Sequence, residues 1–482
     1  MGTFALSFFI VLLLTNGYSM RGLFVVGRNQ TFMDFFNSLL YNITNPYEHL
    51  AFYPPLSNLM YKILLCIIPE SELAKIVIST SATNYSPTVK TMQSFWIPFI
   101  IYTMLTIVGL YFALKNYKKG TRAENLLFIA LIFFSSPMLF LFERANNSIV
   151  ALIFTICFMS SYESENKIAR ELSLVSLAIA ISFKIYPVLF CAMLVNRKRL
   201  KDTFKVLAYV VVLTIVPTLI LYGGFGEIKY LVTNLQSFGN NTQLTVGTQL
   251  NFAKDLILPL YLTNLSNARL VAMGEAFKLV VTLFACFAAL FAKKEWQRAA
   301  LCCCIIFGYP ATCTNYLLTF FIIPIIIILD TEEESHLITY ISLILMTITQ
   351  CLILSQNILT GEFSRDFATK YSSYAVLLLT IILTVDGCLS GIDALSRHLK
   401  LNKAIFFVAL AIIFIITAAN GIFFGEGSVF NVIKFPLKSA LIKNVIVFSS
   451  MVLVCVALIA LRQLILKKKS DSISEPDQIE RN

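Results

Sequence analysis

Three stretches of the sequence place charge or amide groups where an apolar chain would exclude them. The first is TFMDFFNSLLYNITNPYEHLAFYPPLS, residues 31–57, in which Asp34 stands among Phe32, Phe35 and Phe36 and is followed by Tyr53-Pro54-Pro55. Aromatic neighbours strip water from a carboxylate and lift its pKa toward the working range of a general base. The plainer reading is that Asp34 caps a helix running FFNSLLYNI. The second stretch is LFERANNSIVAL, residues 141–152. Glu143 and Arg144 could pair with each other at an interface. Alternatively, Arg144 faces a polar ligand while Asn146 and Asn147 cap the following helix, whose unpaired N–H groups favour an anion. The third is AIAISFKIYPVLFCAMLVNRKR, residues 178–199. Lys184 lies inside an apolar run three residues before Pro187, and proline removes a backbone donor and breaks a helix.

A lysine at the centre of a membrane helix costs roughly 2.5–3.5 kcal/mol. Snorkelling is the ordinary relief, but the next basic interface begins at Arg197, more than three helical turns away. An ammonium at a helix break suits a bound anion, most simply a phosphate. Together the three stretches suit a substrate with a lipid tail in the bilayer, a phosphate at Lys184 and a polar head near Asp34.

The elements that must hold these residues are helices in a membrane. Of 482 residues, 57% are hydrophobic and 13% are charged, where a soluble chain carries about a quarter charged. Apolar runs suitable for spans, which need roughly 20 residues each, fall at 3–20, 93–114, 125–142, 148–162, 204–222, 272–292, 299–312, 316–329, 337–356, 372–390, 404–424 and 442–466, with a broken segment at 172–196. The run 3–20 lacks a basic leader and a small-residue cleavage site, and reads as a retained first helix rather than a signal peptide. The run YPPLSNLMYKILLCIIP is too short to span, so it lies at the interface or packs on the bundle. The expected fold is therefore an all-α polytopic membrane protein. It forms a single multi-spanning domain over 1–466, followed by a polar, disordered tail at 467–482.

The net charge of +11 does not indicate a nucleic-acid partner, because the basic residues sit in short clusters between apolar runs. Those clusters include Lys115 to Arg122, Arg197 to Lys201, Lys293 to Arg298, Arg397 to Lys403 and Lys467 to Lys469. Span counting puts them on one face, the cytoplasmic one, if 172–196 enters and leaves on the same side. A first outer loop, 21–92, then carries Asp34, and a second spans 223–271. The eleven cysteines show no CxxC pair and no histidine at ligand spacing, which reads as small thiols in apolar runs.

On these residues the chain resembles the GT-C superfamily of membrane glycosyltransferases, and most of all family 87, the polyprenyl-phosphate-mannose-dependent transferases. An early outer-loop aspartate followed by a Tyr-Pro-Pro turn matches Asp34 and Tyr53-Pro54-Pro55. The family's Arg-Gly-Asn pattern at the fourth span corresponds to Arg144-Ala145-Asn146, with alanine in place of glycine. A Lys-x-Tyr-Pro break corresponds to Lys184-Ile185-Tyr186-Pro187. A weaker match is GYPATCTNYLLTFFIIP at 308–324, where Thr314, Asn315 and Tyr316 stand in place of an aromatic or histidine pair.

The resemblance implies a GT-C-type bundle of roughly 11–13 transmembrane helices with a helical first outer loop. It implies Asp34 as general base, Lys184 and Arg144 as ligands of the donor phosphate, and Tyr53, Asn146, Tyr186, Asn315 and Tyr316 as lining residues. The reaction would move a sugar, mannose by the family's habit, with inversion from a polyprenyl-phosphate-linked donor to a glycan or glycolipid acceptor. It would take place on the outer face of the cell membrane, with no metal site and no cofactor. Two other readings compete. A flippase or transporter explains the spans and Lys184 but not the aspartate loop. A polysaccharide polymerase should carry arginine-rich outer loops, whereas 223–271 holds Arg269 alone.

Overall fold

The computed structural model describes residues 32–49, 51, 53–74, 76, 89–90, 92–117, 120–196, 199–221, 225–241, 268–309, 314–330, 337–350 and 365–399. The spans expected at 3–20, 404–424 and 442–466, the centre of loop 223–271 and the tail 467–482 lie outside the described residues. Within them the chain is all-α, with sixteen α-helices and no strand.

Helix α1 (Met33–Tyr41), α2 (Pro55–Leu65) and the single turn α3 (Glu70–Leu73) precede the first long helix, α4 (Trp96–Tyr117). On α4, Ile97, Ile100, Met104, Leu105, Val108 and Phe112 are exposed, while Phe99, Tyr102, Thr106 and Leu110 are buried. The recurrence of three to four residues puts an apolar face outward, where a bilayer rather than water covers it. α10 (Leu200–Ile220) repeats this with Val211, Val212, Ile215 and Leu219. Three helical stretches, Gln93–Asn116, Leu200–Ile220 and Ser372–Gly391, are each long and apolar enough to cross a membrane.

The run read as one span at 125–142 is two helices, α5 (Arg122–Phe133) and α6 (Ser136–Arg144), bent by 58°. Pro137 is the cause: in a continuous helix its ring would meet the carbonyl four residues back, at Phe133. Thr121 and Glu124 form a reciprocal cap that starts α5. α7 (Ser148–Ser161) has 14 residues, about 21 Å of helix, against the roughly 30 Å of a hydrocarbon core. It pairs with α8 (Lys167–Phe183), whose first turn is capped by Asn166, its side-chain oxygen accepting from the N–H groups of Ile168 at 2.9 Å and Ala169 at 3.3 Å.

α8 stops at Phe183. Lys184 is extended, with φ −147° and ψ 134°, a 3₁₀ turn follows at Tyr186–Phe190, and α9 (Cys191–Asn196) resumes the helix. The break expected at Lys184–Pro187 is there. α2 packs against α1, α8 and α10, so of the two places open to the YPPLSNLMYKILLCIIP run, it takes the bundle.

The second half is built on α11 (Gly226–Asn241), α12 (Ala268–Phe291), α13 (Glu295–Gly308), α14 (Ile322–Asp330), α15 (Leu337–Gln350) and α16 (Arg365–Leu399). α13 is the centre: every residue from Trp296 to Gly308 is buried. Its Cys302 and Cys303 thiols donate to the carbonyls of Leu189 and Phe320, both at 3.3 Å. The eight described cysteines are free thiols, of which Cys66 is exposed. α12 and α16 approach closely through small residues. A Cβ on Gly387 would lie 2.7 Å from the Ala288 Cβ and 2.9 Å from its carbonyl oxygen, the contact that lets membrane helices pack without a hydrophobic drive between them.

Candidate active site

The site forms where the start of α1 meets the end of α6. Phe32, just before α1, is left-handed with φ 57° and ψ 17°, a strained conformation for a bulky residue. Two contacts hold it: its N–H donates to the Glu143 carbonyl at 2.6 Å, and its ring lies 4.6 Å from that of Phe99. Phe35 and Phe36 continue the aromatic packing, against Tyr102 at 5.0 Å and Trp96 at 5.3 Å. Asp34 therefore enters the first turn of α1 with its direction set on both sides. It does not cap the helix, since the N-cap position is Phe32 and no side chain caps there. The carboxylate instead turns to α6.

α6 ends in Arg144, and Ala145 is left-handed with φ 49° and ψ 44°. This reversal brings Arg144 and Asn146, two residues apart, onto the same carboxylate. Arg144 Nη2 pairs with Asp34 Oδ1, and Asn146 Nδ2 donates to Asp34 Oδ2 at 2.7 Å. The Asp34 side chain keeps only 13% of its exposure and that of Arg144 15%, so the pair sits largely out of water. The position of Ala145 also explains the glycine expected there, because only glycine takes a left-handed backbone without cost.

Of the two asparagines read as caps, Asn147 holds the N-cap position without a side-chain cap, and Asn146, one residue earlier, accepts from the Ser148 N–H at 2.9 Å through its side-chain oxygen. Asn147 is fully buried and turns away, donating to the Ser57 hydroxyl. The Asn146 amide nitrogen also lies 3.3 Å from the hydroxyls of Tyr53 and Tyr316, so residues from four separate parts of the chain meet at one side chain.

Lys184 reaches the site from the α8 break, its ammonium 4.0 Å from the centre of the Tyr53 ring, within cation–π range. Tyr53 is fixed by its backbone carbonyl, which accepts from Asn58 Nδ2 and from the Tyr47 hydroxyl, both at 3.2 Å. Burial first, and the Asp34 charge second, push the Tyr53 phenol well above its ordinary range, so it stays neutral. α11 supports this turn: Asn234 Nδ2 donates to the carbonyls of Tyr47 at 2.8 Å and Ala51 at 3.0 Å. Tyr186 donates to the Ser148 hydroxyl at 2.9 Å and stands edge-on to Phe320 at 5.4 Å. Tyr316 stacks on Phe140 at 6.0 Å. Asn315 opens the 3₁₀ turn Asn315–Phe321 beside it, half-buried.

The structure thus joins Asp34, Arg144, Asn146, Tyr53 and Tyr316 directly, with Lys184 against Tyr53 and Tyr186 against Ser148. Ser148, Asn58, Tyr47 and Asn234 have no distinguishing signal in the sequence beyond their polarity. Arg144 on the carboxylate and Lys184 against the adjoining Tyr53 ring give the site two basic side chains for one acidic one, an arrangement that could take an anionic ligand. Among the described residues, no group of three or more His, Cys, Asp and Glu gathers in one place.

Long apolar-faced helices around a buried polar site define an all-α membrane protein. Residues 84–313, just under half of the chain, match the model of glycosyltransferase family 87, which with the all-α membrane fold is consistent with a membrane glycosyltransferase of the GT-C type. No curated protein matches the chain. The matched stretch contains Arg144, Asn146, Ser148, Lys184 and Tyr186 but neither Asp34 nor Tyr53 nor Tyr316. What joins those three to the matched part is the geometry.

Proposed function

We propose that this glycosyltransferase moves a sugar, mannose by the habit of its family, from a polyprenyl-phosphate donor to a hydroxyl of a glycan or glycolipid acceptor. In this reading the site opens to the outer face of the cell membrane, opposite the clusters of lysine and arginine, and the anomeric configuration inverts. The observation that carries it is the carboxylate of Asp34, held at both oxygens by Arg144 and Asn146, in one site with Lys184.

Asp34 takes the proton of the acceptor hydroxyl. The acceptor oxygen attacks the anomeric carbon, the carbon–oxygen bond to phosphate breaks on the opposite face, and polyprenyl phosphate leaves with the electron pair. Lys184 meets the charge that grows on the leaving phosphate, and pre-placed cations act strongly where water is scarce. Arg144 holds Asp34 in place through its ion pair and lends its remaining N–H groups to the same phosphate. Such a leaving group carries a single phosphate, and the reading needs no divalent ion. A transporter would leave the doubly held carboxylate without a task.

The test is transfer of labelled sugar from polyprenyl phosphate by the full chain in liposomes. Asp34→Asn, which keeps the shape and removes the base, should lower kcat by about 10²–10⁴-fold. Transfer at the wild-type rate, with equal protein in the membrane, removes Asp34 as the base.

A further inference from the structure

We propose that Ser148 is a positioning residue that couples the donor-binding break of α8 to the carboxylate of Asp34. The inference rests on the reading of Asp34 as base and Lys184 as phosphate ligand, and deepens it. Ser148 is fully buried at the first position of α7, and it holds neither charge nor substrate. Its hydroxyl accepts from the Tyr186 O–H at 2.9 Å and donates to Asn146 Oδ1 at 2.7 Å. Its backbone N–H donates to the same Oδ1 at 2.9 Å.

Both donors on Oδ1 settle the orientation of the Asn146 amide, so its NH₂ group points the other way, onto Asp34 Oδ2 at 2.7 Å. A flipped amide would set oxygen against the carboxylate oxygen. The result is a chain of hydrogen bonds running in one direction, from Tyr186 through Ser148 and Asn146 to Asp34. Tyr186 already spends the acceptor side of the Ser148 hydroxyl, which leaves the serine proton to Asn146, and bonds aligned this way polarise one another. Tyr186 lies two residues beyond Lys184, inside the 3₁₀ turn that follows the break. A donor phosphate seated at Lys184 thus settles the same short segment from which the chain to Asp34 starts. The base is aimed where the donor is bound.

The experiment measures kcat and donor KM for Ser148→Ala, Tyr186→Phe, the double variant and Ser148→Thr, with the full chain in liposomes and labelled polyprenyl-phosphate sugar. Loss of one hydrogen bond in the chain should lower kcat about tenfold and leave donor KM within about twofold. The double variant should be no slower than the slower single, because either change breaks the same chain. Ser148→Thr keeps the hydroxyl and should restore most of kcat. Wild-type kcat in Ser148→Ala, or losses that multiply in the double variant, overturn the proposal. Should Ser148→Ala fail to accumulate, Tyr186→Phe carries the test alone, since its ring still packs on Phe320, and an unchanged kcat there overturns it equally. An inactive Asp34→Asn beside a wild-type Ser148→Ala removes the coupling only. An active Asp34→Asn removes the reading beneath it.

Discussion

Arg144 and Asp34 lie 110 positions apart in the chain and form an ion pair. One comes from the last turn of α6 and the other from the first turn of α1, and the backbone N–H of Phe32 ties the two helix ends together by donating to Glu143. The pair is largely out of water, where an ion left without its partner costs far more than on a surface.

Arg144→Ala should therefore do more than remove a phosphate contact. Asp34 then faces Asn146 alone, and kcat should fall by about 10²-fold. Arg144→Lys should recover little, since an ammonium lacks the planar fork of N–H groups. A lysine variant at wild-type kcat in the liposome assay would show that point charge alone suffices.

Lys184→Ala should raise the donor KM and lower kcat together, because the same contact holds the ground-state phosphate and the leaving group. Its partner gives a finer check. Tyr53→Phe keeps the ring beneath the ammonium and should change donor KM by less than about threefold, whereas Tyr53→Ala removes a contact of about 0.5–2 kcal/mol. Equal effects of the two tyrosine variants would assign the ring no part in holding Lys184.

Ala145→Gly should stabilise the protein by about 1 kcal/mol, because the left-handed backbone there costs alanine that much and glycine nothing. Thermal unfolding in detergent reads this as a higher Tm with unchanged kcat. Ala145→Val, branched at Cβ, should lower Tm. A fall in Tm for the glycine variant would mean the methyl packs better than the backbone strains.

Gly387→Ala places a methyl 2.7 Å from the Ala288 Cβ and 2.9 Å from backbone oxygen. Neither neighbour is the free end of a flexible side chain, so α12 and α16 must separate, at about 1–3 kcal/mol. The expected readout is a lower Tm and less protein in the membrane, with a near-normal kcat in what remains. An unaltered Tm would show that the two helices slide apart freely.

Removing divalent ions with a chelator should leave transfer unchanged in the liposome assay. Complete loss, restored by adding one metal back, would contradict a mechanism that places only Lys184 and Arg144 against the leaving phosphate.

The parts of this arrangement that could be read from sequence are those with a local cause. Pro187 removes a donor, and the helix does break at Lys184. Charges and amides inside apolar runs are expensive, so Asp34, Arg144, Asn146 and Lys184 stood out by their cost alone. Pro137 was equally visible, yet 125–142 read as one span because hydropathy averages over a bend that leaves composition unchanged. Ser148 gave no signal: a serine opening a helix is commonplace, and its role comes from Tyr186, 38 positions away.

By itself the sequence determined that this chain lives in a membrane, where its helix before Lys184 ends, and which few polar side chains had to be accounted for. It could not determine which of them meet. That depends on two left-handed residues, Phe32 and Ala145, and on helices packed from distant segments, which aim Arg144 and Asn146 at the two oxygens of Asp34. Hydrogen bonds need their atoms within a few tenths of an ångström, and only the packed bundle holds atoms from such distant segments at that spacing.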